Sequence, residues 1–311
     1  MGIINESVTA DHVAGKRKTL DERLHPFMHA FPYIAPHLII FAVFGIIPIV
    51  FGLYISFTRW NLIGSPKWAG LDNFRLIMTP GTYFNKVFFK DLWNTLLFVV
   101  INVPLCIVVP LLLAVLLNKK GLKGAGLFQA ILYIPGLISV AAGALVWKMV
   151  FNSQYGMINT TFHLQVNWLG EQPWAWITIF VLSLWAGIGG NLVIYRSALS
   201  GVDQNLYEAA QVDGAGPVRI FFSITLPEIR LPLFYTTIMT TVGAFNVWGQ
   251  PLMMTNGGPA QSTQVLLMDI KNLAFPAGPS AAGMASAMAL LLGIILMILS
   301  IIQIVFMNKE D

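Results

Sequence analysis

Charge is scarce in this sequence and cysteine is nearly missing. Of 311 residues only 10% are Asp, Glu, Lys or Arg, against 56% hydrophobic, and the mean hydropathy is +0.72. So little polar surface cannot coat a water-soluble particle of this size, which makes lipid the main solvent. The single cysteine, Cys106, sits inside an apolar run. It excludes an intramolecular disulfide and a thiolate metal cluster, and leaves the redox compartment open. There is no Gly-x-x-x-x-Gly-Lys-Ser/Thr phosphate loop, no nucleophile elbow and no paired-carboxylate motif on an exposed element. Catalysis by the chain alone is therefore unsupported. Of five histidines only His25 and His29 share a four-residue spacing, with Glu22 the nearest third ligand. Pro26 belongs in a helix's first turn, which would leave Glu22 upstream of the helix and the trio without fixed geometry, so no metal site is expected.

What is present is a series of long apolar runs. They lie near residues 34–57, 94–117, 126–150, 175–198, 231–254 and 284–307, each long enough for a hydrocarbon core about 30 Å thick. The spacing predicts an all-α integral membrane protein of one domain with six transmembrane helices over 34–307, after an N-terminal segment of residues 1–33 and before a tail of 308–311. Roughly thirty polar or mixed residues precede the first run, so that run is expected to be a retained signal anchor. Six crossings put both termini on one side. Lys16, Arg17, Lys18 and Arg23, then Lys119, Lys120 and Lys123, then Arg196, Arg219 and Arg230 mark that side as cytoplasmic. Residues 151–174 hold no Lys or Arg, in agreement, whereas Arg59, Lys67, Arg75, Lys86 and Lys90 in the first connection run against the bias. The net charge of +4 is scattered at the ends of runs and forms no nucleic-acid patch. Ala281, Ala285 and Ala289, with Gly283 and Ala287, form a small-residue face that predicts close helix packing, within this chain or against a second subunit.

Residues 201–230 are too polar to span and too patterned for a slack linker. Asp203 is expected to cap a short helix running to about Val212, and Gly214 to end it in the left-handed conformation. Pro217 then opens a second helix and Pro227 stops it. Glu208-Ala209-Ala210, Asp213-Gly214-Ala215-Gly216 and Ile224-x-Leu226-Pro227 resemble the EAA loop of bacterial ABC importer permeases. Gly70-Leu71-Asp72-Asn73-Phe74, Thr255-Asn256-Gly257-Gly258-Pro259 and Ser262-Thr263 resemble the maltose-type carbohydrate branch, and the likeness covers most of the chain. Residues 58–93 are only a modest loop, without the large extracytoplasmic insertion of the maltose prototype. The resemblance implies that Glu208, Ala209, Ala210, Asp213, Gly214, Ile224, Leu226 and Pro227 couple the chain to a separate ATPase. It further implies a second permease subunit, expected as a heterodimer, two ATP-binding subunits and an extracytoplasmic solute-binding protein. ATP and Mg would bind the ATPase, and no cofactor this chain. The location implied is the bacterial inner membrane.

A solute path needs polar groups in the spans, where charge is costly. The spans hold almost no charge, Lys148 being close enough to an end to snorkel. They do hold Ser183, Trp185 and Asn191 in the fourth, and Thr240, Thr241, Phe245, Asn246, Trp248 and Gln250 in the fifth. Amides and hydroxyls bond sugar hydroxyls while aromatic faces stack on the apolar face of a pyranose. The resemblance places Ser183, Gly187, Gly190, Phe245 and Asn246 at pocket-facing positions, with Asn191 and Trp248 along the same path. Gly190 stands where the prototype carries an aromatic, implying a differently shaped pocket. The function expected is translocation of a sugar or oligosaccharide. A glycerol phosphodiester or polyol stays open as an alternative. A channel or ion-coupled carrier is disfavoured by the scarcity of intramembrane carboxylates, and a membrane enzyme or assembly factor by the lack of paired catalytic residues.

Overall fold

The computed structural model describes residues 20–119, 121–276 and 278–308, with side chains from 31 to 306 apart from positions 120 and 277. Among the described residues, four helical segments are long and apolar enough to cross a membrane: Phe31–Ser56, Tyr83–Leu117, Trp174–Ser200 and Ala282–Phe306. The chain divides into two units at Gly52 and Leu53. In the first, α1 (Leu20–Phe41) passes through a π-helical turn at Ala42–Ile46 into α2 (Ile47–Ser56), which runs on across the division. The Ile47 amide bonds back to the Ala42 carbonyl. This wider turn immediately precedes Pro48, whose ring and missing N–H do not fit an unbroken α-helical ladder. Pro26 lies in the interior of α1 and not in its first turn, contrary to the sequence expectation. The side chains of His25 and His29 lie outside the described residues.

The second unit opens with a two-stranded antiparallel ribbon, β1 (Thr58–Arg59) on β2 (Lys67–Trp68). Helix α3 (Asp72–Met78) follows. Asn73 Nδ2 donates to the carbonyls of Ser56 and Thr58, each at 2.9 Å, and Arg59 pairs with Asp72 at 2.7 Å. Helix α4 (Tyr83–Leu117) then descends from this ribbon end.

Helix α8 (Trp174–Ser200) runs parallel to α4. Phe98 stacks on Phe180 with ring centroids 5.6 Å apart, Cys106 lies beside Gly187 and Asn191, and Leu111 and Ala114 share a core with Leu192, Tyr195 and Leu199. Positions therefore advance together along both helices. Two parallel helices need a return leg between them, and the intervening chain supplies one. It consists of α5 (Ala125–Tyr133), a 3₁₀ turn at Ile134–Leu137 and α6 (Val140–Val150), followed by the short α7 (Met157–Phe162). The sequence predicts one span here; the structure bends it by 104°. Pro135 opens the 3₁₀ turn, and Ser139 Oγ accepts from the Ala142 amide to start α6 afresh.

After α8 come α9 (Gln204–Val212), α10 (Pro217–Ile220), a π turn at Phe221–Thr225 and α11 (Leu226–Glu228). Helix α12 (Arg230–Phe245) ascends against α8, since Asn191 meets Thr240 and Tyr195 meets Thr236. Residues 246–248 break the helix before α13 (Gly249–Thr255). The 16 residues of α12 span about 24 Å, short of the hydrocarbon thickness, so the expected fifth span is not one continuous helix. Helices α14 (Leu266–Ala274) and α15 (Ala282–Asn308) complete the unit. The small-residue face of α15 packs within this chain. A Cβ at Gly283 would collide with the Thr58 carbonyl, and Ala285 and Ala287 are buried, whereas Ala289 is exposed.

Candidate functional site

Three helical stripes converge on a cavity of about 270 Å³. Phe98, Asn102 and Cys106 come from α4 at four-residue spacing, which is one face of a helix. Ser183, Gly187, Gly190 and Asn191 are the matching face of α8, and Thr240, Gly243, Ala244, Asn246, Val247 and Gln250 come from α12, the break after it and α13. None of these side chains carries a charge. Asn102 lies 15 residues before the end of α4 at Leu117, or about 22 Å along the axis, so the cavity is deep within the bundle. Gly187, Gly190, Gly243 and Asn246 are exposed, which leaves one flank open.

Backbone irregularity supplies part of this wall, and side chains repair it. Pro110 lacks the N–H that would bond the Cys106 carbonyl four residues back. Asn191 Nδ2 fills that role from α8 at 2.8 Å and also donates to Thr240 Oγ1 at 3.1 Å. One amide thus ties α4, α8 and α12 together at the cavity floor. At the break in α12, Asn246 Nδ2 donates to the Val242 carbonyl at 2.8 Å. Non-helical backbone at this depth is tolerated where it lines a cavity. Among the described residues that line the cavity, two buried polar atoms keep no partner: Asn102 Oδ1 and Ser183 Oγ, on residues each 7% exposed.

The neighbouring glycines divide by role. A Cβ at Gly189 would lie 2.6 Å from the Tyr133 Cα, so this glycine admits α5 against α8. One at Gly187 would meet Cys106 Sγ at an ordinary 3.4 Å, and one at Gly190 would meet nothing within 4 Å.

Of the residues that the sequence places on the path, Ser183, Gly187, Gly190, Asn191 and Asn246 line the cavity. Phe245 instead is 1% exposed within the main core, and Trp248 stands apart with Lys271 Nζ 4.2 Å above its ring. Neighbouring positions at a helix end point about 100° apart, which sets Phe245 and Asn246 on different sides. Trp185 meets Trp147 edge-on at 5.9 Å. Phe98, Asn102 and Cys106 on α4 escaped the sequence reading, although their four-residue spacing around a polar residue in an apolar run was a usable signal.

At the far end of α8 the loop forms the anticipated bent pair of helices. Asp203 Oδ1 accepts from the Asn205 amide at 2.9 Å, Gly214 has φ +76°, and Pro217 opens α10. Pro227 does not stop the second helix, which continues to Glu228. The preceding π turn, where the Leu226 amide reaches the Phe221 carbonyl, absorbs the proline. Glu208, Ala209, Asp213, Gly214 and Pro227 are exposed, and Ala210, Ile224 and Leu226 half-buried. Val202 and Ile229 at the loop's two ends are buried with Leu192, Tyr195 and Leu199, so the loop is rooted in the bundle. Its outer face shows apolar side chains: Val212 is 88% exposed, Val218 71% and Phe222 61%.

Residues 75–308 match the family described as binding-protein-dependent transport system inner membrane component. Among relatives, YurN of Bacillus subtilis (strain 168), named a probable ABC transporter permease protein, is 30% identical over 90% of this chain and 96% of its own length. The lactose transport system permease protein LacF of Rhizobium radiobacter is 32% identical over 80% and 84%. In fold the chain resembles one from a bacterial ABC transporter involved in the import of the acidic polysaccharide alginate. The TM-score is 0.79 at 20% identity, covering 94% of this chain and 99% of the other.

Proposed function

Since this chain belongs to the binding-protein-dependent transport system inner membrane components, we propose that it is the permease subunit of an ATP-binding-cassette importer for a sugar or oligosaccharide. The observation that carries the reading is the pairing, in one bundle, of an uncharged amide-and-hydroxyl cavity at depth with a rooted helical loop at one end. The lactose permease relative supports a sugar as cargo. A phosphodiester would call for a cation, and no Lys or Arg lines the cavity.

In this reading the six crossings are α1–α2, α4, the bent α5–α6 pair, α8, the broken α12–α13 pair and α15. Both termini and the α9–α11 loop lie in the cytoplasm of a bacterium, whose inner membrane holds the protein. The exposed Val212, Val218 and Phe222 offer the apolar face that an ATPase cleft would cover, with Glu208, Ala209 and Ala210 beside it. The loop passes into buried residues of α8 and α12 at both ends, so closure of the ATPase on ATP and Mg would move those helices as rigid bodies. That motion would switch the cavity between outward and inward access. The open flank faces a second permease, most simply a related chain, and an external binding protein delivers the solute.

The test is reconstitution with the cognate partner permease, ATPase and binding protein in proteoliposomes. ATP-dependent uptake of a glycan such as lactose or maltotriose, and glycan-stimulated ATP hydrolysis, are expected. A complex that hydrolyses ATP yet moves none of a broad glycan panel would overturn the assignment.

A further inference from the structure

Most polar groups of the cavity wall are already engaged with one another. Both N–H groups of Asn191 are taken, by the Cys106 carbonyl and Thr240, and that of Asn246 reaches Val242. Thr240 Oγ1 serves as acceptor for Asn191. The fully buried polar atoms of the wall that remain are Asn102 Oδ1 and Ser183 Oγ, on parallel neighbouring helices, each residue more than nine-tenths buried and each oxygen without a protein partner. A buried polar atom left unmatched is costly, so native proteins rarely keep one without a use. These two line the same cavity, which is open on one flank.

We propose that Asn102 on α4 is a specificity-determining contact for the solute, acting together with Ser183 on α8, whereas Asn191 serves as a structural clasp. The inference rests on the importer reading and deepens it. Asn102 Oδ1 accepts a hydrogen bond from one ring hydroxyl, and Ser183 Oγ, which can donate or accept, meets a second. Vicinal hydroxyls of a neutral sugar ring present this combination. A carboxylate, which only accepts, would face the Asn102 oxygen with no donor between them, and no cation lines this wall to offset the repulsion. The chemistry recognised at this wall is thus a neutral hydroxylated ring, in contrast to the acidic polysaccharide of the structural neighbour.

The experiment uses the full complex in proteoliposomes, with binding protein saturated by each solute so that capture outside the membrane does not limit the rate. Lactose, maltotriose and trigalacturonate are compared first, then the monodeoxy derivatives of the neutral glycan moved fastest. Wild type is expected to prefer the neutral glycans over trigalacturonate, and the parent glycan over at least one monodeoxy derivative by about tenfold. Asn102→Leu, which keeps the branching at Cγ but lacks the oxygen, should erase the preference at one hydroxyl. Ser183→Ala should erase it at the same or the adjacent one. A variant that only loosened the bundle would slow all solutes alike and keep the ratios. Should Asn102→Leu fail to assemble, Asn102→Ala and Ser183→Ala report the same ratios. Unchanged ratios in the assembled variants, with glycan uptake intact, would sink the contact and leave the importer reading standing. No uptake of any glycan by wild type would take down both.

Discussion

Asn191 shows how a single side chain can be read in two ways. An amide deep in a membrane span resembles a solute ligand, yet one of its donors closes a gap opened 85 residues away, where Pro110 strips the Cys106 carbonyl of its helical partner, and the other bonds Thr240. Asn191→Leu should therefore destabilise the protein by about 1–3 kcal/mol, the cost of an unmatched buried carbonyl. Pro110→Ala restores an N–H to α4 and should recover part of the loss, a coupling measurable by thermal unfolding of the four variants of a double-mutant cycle in detergent. A simple loss-plus-loss result would remove the clasp. The glycines separate as sharply. Gly189→Ala presses a methyl group to 2.6 Å from the Tyr133 backbone and should prevent accumulation of folded protein. Gly190→Ala meets open space and should fold, while Gly190→Trp should fold, fill the cavity and abolish uptake. Membrane content and uptake, measured side by side, distinguish these outcomes.

Among the elements, the α9–α11 loop was the most legible. Asp203, Gly214 and Pro217 act locally, through a cap, a left-handed turn and a fixed φ, and local devices can be read without knowing the fold. Gly214→Pro cannot adopt φ +76° and should leave the protein in the membrane while uncoupling ATP hydrolysis from uptake. Glu208→Lys should do the same by reversing the charge of the exposed face. Wild-type uptake by both variants would deny the loop its role. The bent and broken crossings were less legible. A hydropathy run counts apolar residues and is blind to the direction of the backbone, so the 104° bend within residues 125–150 and the break at 246–248 passed as continuous spans. Phe245 sits in the core beside an Asn246 that lines the cavity because adjacent helical positions point about 100° apart.

For the molecule as a whole, the parallel run of α4 and α8 places Cys106 at the cavity, 4% exposed, where it reports on access. As the single cysteine it should react slowly with a small maleimide in the resting complex, and faster when the ATPase is trapped with nucleotide. Equal rates in both states would argue against alternating access at this site. Composition and run length alone determined that lipid is the solvent, that several apolar helices cross it and that the interior carries almost no charge. These are sums over neighbouring residues, and a sequence displays them directly. Which polar groups satisfy one another and which are left without a protein partner was decided only by tertiary structure. Hydrogen-bond satisfaction is a property of pairs, and the pairs at this cavity join residues 49 and 85 positions apart.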